Sequence, residues 1–386
     1  MRLQLTGLEP SRPSLARRSN ADRMTAALSF AIMSLSLVCV AARPASAQAE
    51  HPVRTVVKVN YYSDNDGNTV VTPVANIEGT VAKIVTLHAH AAYDIMSCAS
   101  VDVVTAASPK GYFQEVRQEY EGGAAVRLKL TTLSASATYS HENDYSSISV
   151  GLGAATELFQ RNTTLTFGYG YTDSSVGRSG DPNFDESLAS HTLTASVSQL
   201  LTKHLIAQAG WFFNYSSGFQ QSPYRAVSLL DGTYTTESAP GERYRNSVVA
   251  RLRAALSPTW FLAGDYRIYF DTWGMTGHTV QAMLSNTPLA WFDWRLRARF
   301  YAQSGVDFYQ QTYDRLREYM TADRELGPFV GITGGLKLGF HVTALPETVA
   351  LAFDVKADVT YQRFSDYRLL PERVMVVTEA GVHLDF

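Results

Sequence analysis

Val374-Met375-Val376-Val377-Thr378-Glu379-Ala380-Gly381-Val382-His383-Leu384-Asp385-Phe386 changes character residue by residue. Val374, Val376, Thr378, Ala380, Val382, Leu384 and Phe386 share one parity and are mostly apolar, whereas Glu379, Gly381, His383 and Asp385 share the other. Period two marks a strand with one greasy and one wet face. Such a strand suits either a soluble sandwich or a membrane barrel, and the remainder of the chain separates the two.

Working outward, most of the chain divides into alternating segments of about ten residues. They lie near 54–62, 69–78, 83–95, 113–130, 133–141, 145–157, 163–173, 188–200, 204–217, 244–256, 259–272, 276–287, 290–303, 326–340, 348–363 and 373–386. Their connections are alternately short and long. Gly79-Thr80-Val81, Thr131-Thr132, Phe159 to Asn162, Thr202-Lys203, Ser257-Pro258, Thr287-Pro288 and Ala344-Leu345-Pro346 read as brief turns. Met96 to Tyr112, Ser174 to Ser187, Gly218 to Arg243 and Ser304 to Glu325 read as long loops rich in Gly, Pro, Ser and charge. A sandwich has no reason to sort connections by length, whereas an outer-membrane barrel has short periplasmic turns and long outer loops. The pattern predicts an all-β fold, a transmembrane antiparallel up-and-down β-barrel of about sixteen strands, with both ends of the barrel on the periplasmic side.

Facing can be read strand by strand. In 348–363, Val349, Leu351, Phe353, Val355, Ala357 and Val359 oppose Ala352, Asp354, Lys356, Asp358, Thr360 and Gln362. In 163–173, Leu165, Phe167, Tyr169 and Tyr171 oppose Thr166, Gly168, Gly170 and Thr172. A dry core would charge several kcal/mol for each unpaired ion buried there, so the second face implies a wet lumen.

At the other end, Arg17, Arg18 and Arg23 precede an apolar run from Ala26 to Val40, and Ala45-Ser46-Ala47 offers a small-residue cleavage site. Residues 1–47 read as a cleaved signal peptide, whose true start is possible at Met24, and 48–386 as the barrel. Cys39 lacks the small residue before it that lipoprotein processing needs. Of the two cysteines only Cys98 would survive cleavage, so no internal disulfide is expected. The net charge of −3 argues against nucleic acid as a partner, and 21 Tyr, 18 Phe and 5 Trp suit a barrel with aromatic girdles.

Among candidate functional residues, Arg295, Arg297 and Arg299 alternate with Leu296, Ala298 and Phe300. Lipid exposure would cost each arginine about 2–4 kcal/mol at mid-membrane, so all three are expected to face inward. Arg251 and Arg253 repeat the pattern, and Arg267 lies between Asp265 and Asp271. This basic strip is either a structural ion-pair ladder or a pore lining for anions, with Asp354 and Asp358 as the nearest lumenal carboxylates beyond the following strand. Loop 304–325 could enter the lumen, where Tyr309, Tyr313, Arg315, Arg317, Tyr319 and Asp323 would suit a constriction.

Other constellations have plainer readings. Tyr61 to Asn68 could supply oxygens to calcium, but Asp66-Gly67 between alternating segments is foremost a hairpin turn. His88 and His90 share a face and would form a metal site only if their strand met His383. His191 and His278 have hydroxyl neighbours but no nucleophile elbow, and read as solvated polar residues. No enzyme, cofactor or metal is expected.

The aromatic Phe386, with Val382 and Leu384, resembles the closing-strand signal of bacterial outer-membrane barrels. Ser222-Pro223-Tyr224-Arg225, Tyr266-Arg267-Ile268-Tyr269-Phe270-Asp271-Thr272-Trp273-Gly274 and Arg299-Phe300-Tyr301-Ala302-Gln303 resemble an uncharacterised bacterial family, catalogued as a domain of unknown function. Tyr62 to Gly67 with Val70 and Pro73, Ala99 to Val103, Ala107-Ser108-Pro109 and Thr321 to Leu326 fit the same pattern, while Cys98 stands where a small residue is expected. The resemblance implies an exported outer-membrane barrel and singles out Asp271-Thr272-Trp273 and Tyr313 to Leu326 as loops for a family-wide role. Expected partners are outer-membrane lipid, the barrel-assembly machinery and a small anionic solute. The expected function is a passive porin-like channel or uptake barrel, and the alternative is a plugged barrel that docks a partner protein.

Overall fold

The computed structural model describes residues 53–98, 113–342, 346 and 348–386. The signal peptide, most of the Met96 to Tyr112 loop, and Ala344-Leu345 lie outside the described residues.

Sixteen strands close into one antiparallel barrel: β1 (Val53–Asp64), β2 (Asn68–Val81), β3 (Val85–Cys98), β4 (Phe113–Leu128), β5 (Thr131–His141), β6 (Tyr145–Leu158), β7 (Thr163–Arg178), β8 (Asp181–Thr202), β9 (Leu205–Gly218), β12 (Glu242–Ala255), β13 (Trp260–Asp271), β14 (Thr276–Leu289), β15 (Phe292–Gln303), β17 (Phe329–Val342), β18 (Ala350–Phe364) and β19 (Glu372–Asp385). Three short strands, β10 (Ala226–Leu229), β11 (Tyr234–Thr236) and β16 (Thr312–Tyr313), form a separate small sheet. β19 returns to β1, and Val53 and Phe386 exchange two backbone hydrogen bonds of 2.9 Å that complete the ladder. Closure leaves the sheet without a free edge.

Period two sorts the side chains as the sequence predicts. On β6, Ile148, Val150 and Leu152 are exposed on the outer face, while Ser147, Ser149 and Gly151 face inward. On β18, Phe353, Val355 and Val359 point out while Asp354 and Asp358 are buried on the inner wall. The greasy side of this protein is therefore its outside. Two rows of aromatics mark its height: Tyr93, Tyr120, Tyr139, Tyr169, Trp211, Tyr244 and Tyr266 form one, and Trp260, Trp291, Phe340, Phe353 and Phe386 the other, nearer the end that bears both barrel termini. His191 and His278 belong outside with the first row rather than among solvated polar groups. The Tyr169 hydroxyl and His191 Nδ1 lie 3.0 Å apart, and Tyr266 and His278 share a similar bond of 2.9 Å.

At the terminal end the turn at Phe159 to Asn162 lies where the sequence reading placed it, but others differ in position. The first lies at Ala82 to Ile84, not Gly79 to Val81, and the second at Lys129-Leu130, not Thr131-Thr132. Glycine and proline suggested the former sites, but Ala82, Lys83 and Lys129 adopt left-handed backbone with φ of 53°, 62° and 53°. Tight hairpins of two or three residues demand that conformation even of residues for which it is strained. Pro288 sits beside a register irregularity between β14 and β15 rather than in the turn, which follows at Ala290-Trp291.

At the opposite mouth, the expected long loop from Ser174 to Ser187 is a correction. β7 and β8 continue as a paired hairpin through those residues and turn at Ser179-Gly180, where Gly180 has φ of 84°. The other two described long connections, 219–241 and 304–328, carry β10, β11 and β16, and the small sheet joins them.

Candidate functional site

The inner wall falls into sectors of different chemistry. From β5 to β9 most of its inward positions carry small neutral groups, such as Ser134, Ser136, Ser149, Gly151, Thr166, Gly168, Thr194 and Ser196, with Glu157 at the terminal end. From β12 to β15 they include Arg243, Arg245, Arg251, Arg253, Arg267, Arg295, Arg297 and Arg299, against Asp265, Asp271 and Asp293.

These arginines are unequally compensated. Arg253 bonds Asp265 at 2.8 Å, and Arg251 stands 4.0 Å from the same carboxylate, which also accepts from Gln281. Asp271 accepts Arg243 Nε at 2.9 Å and the Tyr269 hydroxyl at 2.6 Å. Arg297 reaches Asp358 at 2.8 Å across the intervening strand β17. The residue between them is Gly335, paired to Arg297 on one side and Asp358 on the other, and a Cβ there would collide with the Asp358 carboxylate. The glycine is a seat for the ion pair. Gly381 does the same for Asp354, which bonds Lys337 at 2.5 Å and His383 at 2.6 Å. Arg267, Arg295 and Arg299 form no ion pair among the described residues. Arg295 donates to Ser285 at 3.2 Å, and Arg299 lies over the Tyr301 ring at 6.0 Å.

The histidines do not converge. His88 lies 3.1 Å from Glu121, His90 2.7 Å from Asn76 and 3.6 Å from Glu119, and His383 is held by Asp354. No group of three or more metal-ligating side chains occurs among the described residues. Asn65-Asp66-Gly67 is a hairpin turn, with Gly67 at φ of 86° and the Asp64 carboxylate accepting from the amides of Asp66 and Asn68.

Over the mouth, connections 219–241 and 304–328 build a cover. Its core is Val227, Leu229, Tyr313 and Met320, all buried, so Tyr313 fills the cover rather than lining a constriction. Its hydroxyl donates to the Thr321 carbonyl at 3.0 Å, and burial pushes its pKa up to about 12. Arg317 pairs with Asp314 at the exposed surface, and Asp323 with the buried Arg225. A second cluster, Trp273, Met275 and Val306, seats the cover on the turn after β13, where the Arg243 guanidinium stacks 4.0 Å from the Trp273 ring.

Polar anchors extend the cover from wall to wall. Glu325 accepts from the inward Arg373 of β19 at 2.8 Å, and Gln303 donates to the carbonyls of Glu325 and Gly327. Arg324 is clamped to Asp66 in the turn after β1, with its guanidinium 4.8 Å from the Phe364 ring. On the far side, the Tyr224 hydroxyl donates to Asp144 in the turn after β5 and accepts from the Ser179 amide. The cover thus ties turns that lie on either side of its own points of attachment. Sequence reasoning named Trp273 and the Tyr313 to Leu326 loop but missed Arg324 to Asp66, because nothing local pairs residues so distant in the chain.

The family model described as a protein of unknown function (DUF3570) matches residues 100–191 and 183–366. The chain belongs to that family. No match is found among the curated proteins. Among solved structures, this family member is similar to a bacterial polysaccharide outer membrane secretin, with 9% identity and a TM-score of 0.51 over 88% of this chain and 100% of the other. It is also similar to CdiB from Acinetobacter baumannii, with 10% identity and a TM-score of 0.50 over 88% of this chain and 61% of that one. At such identities the likeness is one of fold: a large closed barrel of the outer-membrane type.

Proposed function

We propose that this DUF3570 protein is exported by cleavage after residue 47, sits in the outer membrane, and acts as a passive channel whose basic strip of Arg251, Arg253, Arg267, Arg295, Arg297 and Arg299 favours small anions. Barrel termini and short turns face the periplasm, and the cover faces outward. One observation carries the reading: Arg267, Arg295 and Arg299 face inward without a carboxylate partner among the described residues. Three such guanidinium groups require water around them, since an uncompensated charge in a dry interior costs several kcal/mol. A wet lumen lined on one side by excess positive charge concentrates anions, an effect that salt screens. Asp265, Asp271, Asp354 and Asp358 hold the remaining cations in place as a scaffold. Val382, Leu384 and Phe386 present the closing strand to the assembly machinery.

The reversal potential across a potassium chloride gradient tests the role. Anion preference is expected for the parent, weaker at high salt, and a clear loss for Arg267→Gln, Arg295→Gln, Arg299→Gln combined. A conducting parent that prefers cations, or a triple variant with unchanged selectivity, overturns it. The cover's wall-to-wall anchors favour a second reading, a plugged barrel that docks a partner at its outer face. A correctly inserted chain without conductance selects that one.

A further inference from the structure

Two panels of opposite charge face each other across the lumen. On β2 to β4 the inward residues include Glu78, Asp94, Glu119 and Glu121, with Arg117 and Arg127 as the cations among the described side chains. Arg117 is spent on Asp94 at 2.7 Å and reaches Glu119 only at 3.9 Å. Arg127 belongs to Glu157 on the neighbouring β6. The closest groups to Glu121 and Glu119 on β3 are the imidazoles of His88, at 3.1 Å, and His90, at 3.6 Å.

The barrel order sets these strands against the arginines. Within the closed order of strands, β12, β13 and β14 stand half-way round from β2, β3 and β4. Height matches as well: Glu121, Arg267 and Arg299 each stand seven residues from the terminal end of their strands, at Leu128, Trp260 and Phe292. The sectors between do not cancel the opposition. β5 to β9 is neutral along most of its inner face, and β17 to β1 is closed into pairs such as Lys58 with Glu379 at 2.8 Å and Arg54 with Asp385 at 2.9 Å.

We infer that the lumen carries a transverse field, from the arginine panel to the Glu119 and Glu121 panel, that selects dipolar solutes: small zwitterions whose anionic end follows the arginines and whose cationic end follows the glutamates. The inference rests on the channel reading and narrows its solute class. Sixteen strands enclose a backbone ring about 30 Å across, so the panels are separated by more than the Debye length of about 8 Å at physiological salt. The field therefore spans the lumen fully at low ionic strength, where that length rises to about 30 Å at 0.01 M, and acts near each wall otherwise. Potentials of several kT are ordinary between such surfaces, and each kT of alignment raises partition about threefold.

The test is osmotic swelling of vesicles containing the refolded protein, in about 0.01 M salt, with zwitterionic 6-aminohexanoate against uncharged 6-hydroxyhexanamide. The zwitterion is expected to enter at least about threefold faster, and the ratio to fall towards one in molar salt. Glu119→Gln, Glu121→Gln combined should lower the ratio, and so should Arg267→Gln, Arg299→Gln from the opposite wall, with heat-modifiable migration confirming that each variant has folded. A parent ratio of one with both solutes entering overturns the field and leaves the channel. Entry of neither overturns both. A high ratio retained by both double variants overturns the assignment to these panels.

Discussion

β6 and β15 perform the same structural task with opposite inner faces. Outward, Leu152 and Leu296 present similar apolar surface; inward, Ser149, Gly151 and Gly153 stand where β15 places Arg295, Arg297 and Arg299. Both strands are paired along their length on both sides. The difference teaches that the ladder and the outer face make the barrel, and that a wet inner face is free to vary. From β12 to β15 that freedom admits eight inward arginines against three inward aspartates.

The cover leans on the charged half of the wall, and removing its strongest clamp should have the largest effect. Arg324→Ala leaves Asp66 buried without its guanidinium, a change that costs about 3–5 kcal/mol where a buried pair loses one partner. Higher conductance and new protease sensitivity within 304–328 are expected in reconstituted protein. Unchanged values for both would show that the clamp does not hold the cover down.

Next in size is a test of facing in each half. Val150→Arg and Leu296→Arg should each lower stability in a bilayer by about 2–4 kcal/mol, measured by denaturant titration, because both side chains face lipid. Ser149→Arg should be tolerated, and should extend anion preference to the neutral sector. If Ser149→Arg proves as costly as Val150→Arg, the inner face of β6 is not wet.

How much of this was legible depends on range. Val374 to Phe386 revealed its period because strand facing is written locally, and the same rule found all sixteen barrel strands. The Arg117, Glu119, Glu121 alternation was equally readable, with Gln118, Tyr120 and Gly122 opposing it, but needed the barrel order to gain meaning. Gly335 takes its meaning from its place between Arg297 and Asp358, which only the pairing of β17 reveals. Turns at Ala82-Lys83 and Lys129 were misplaced because the left-handed residues there are neither Gly nor Asn. The loops that build the cover were named, but its clamps could not be read, since Arg324 to Asp66 and Tyr224 to Asp144 join segments with no local signal.

A subtler effect separates the cover's packed centre from its edges. Tyr313 ordinarily loses its proton near 10, and burial raises that to about 12 inside the cover. Below pH 10 the hydroxyl is neutral whether the cover is docked or free, and its contribution is complete. Between 10 and about 12 the free form ionises first, so docking weakens and is lost as pH passes the raised value. Single-channel current should rise across that interval, and Tyr313→Phe should remove this part of the pH dependence. A variant that tracks the parent throughout excludes Tyr313 as the cause.

The smallest effect is expected where the cover meets the neutral half. Tyr224 reaches the turn after β5 through one hydroxyl, which donates to Asp144 and accepts from the Ser179 amide. Tyr224→Phe keeps the ring and deletes both bonds. Ser179 is exposed and the turn lies at the solvent-facing mouth, so water can replace much of what is lost, unlike at the buried Asp66. The net change should be about 0.5–1.5 kcal/mol, the usual worth of a hydrogen bond exchanged with solvent. Hydrogen exchange of the Gly218 to Arg243 connection should quicken modestly, by up to about tenfold, while exchange in 304–328 stays as it was. Such a split would place the hinge of the cover on the charged half, with Tyr224 as its free edge. Equal acceleration in both connections would mean that the cover opens as one piece, and the contrast between the two halves would not extend to its motion.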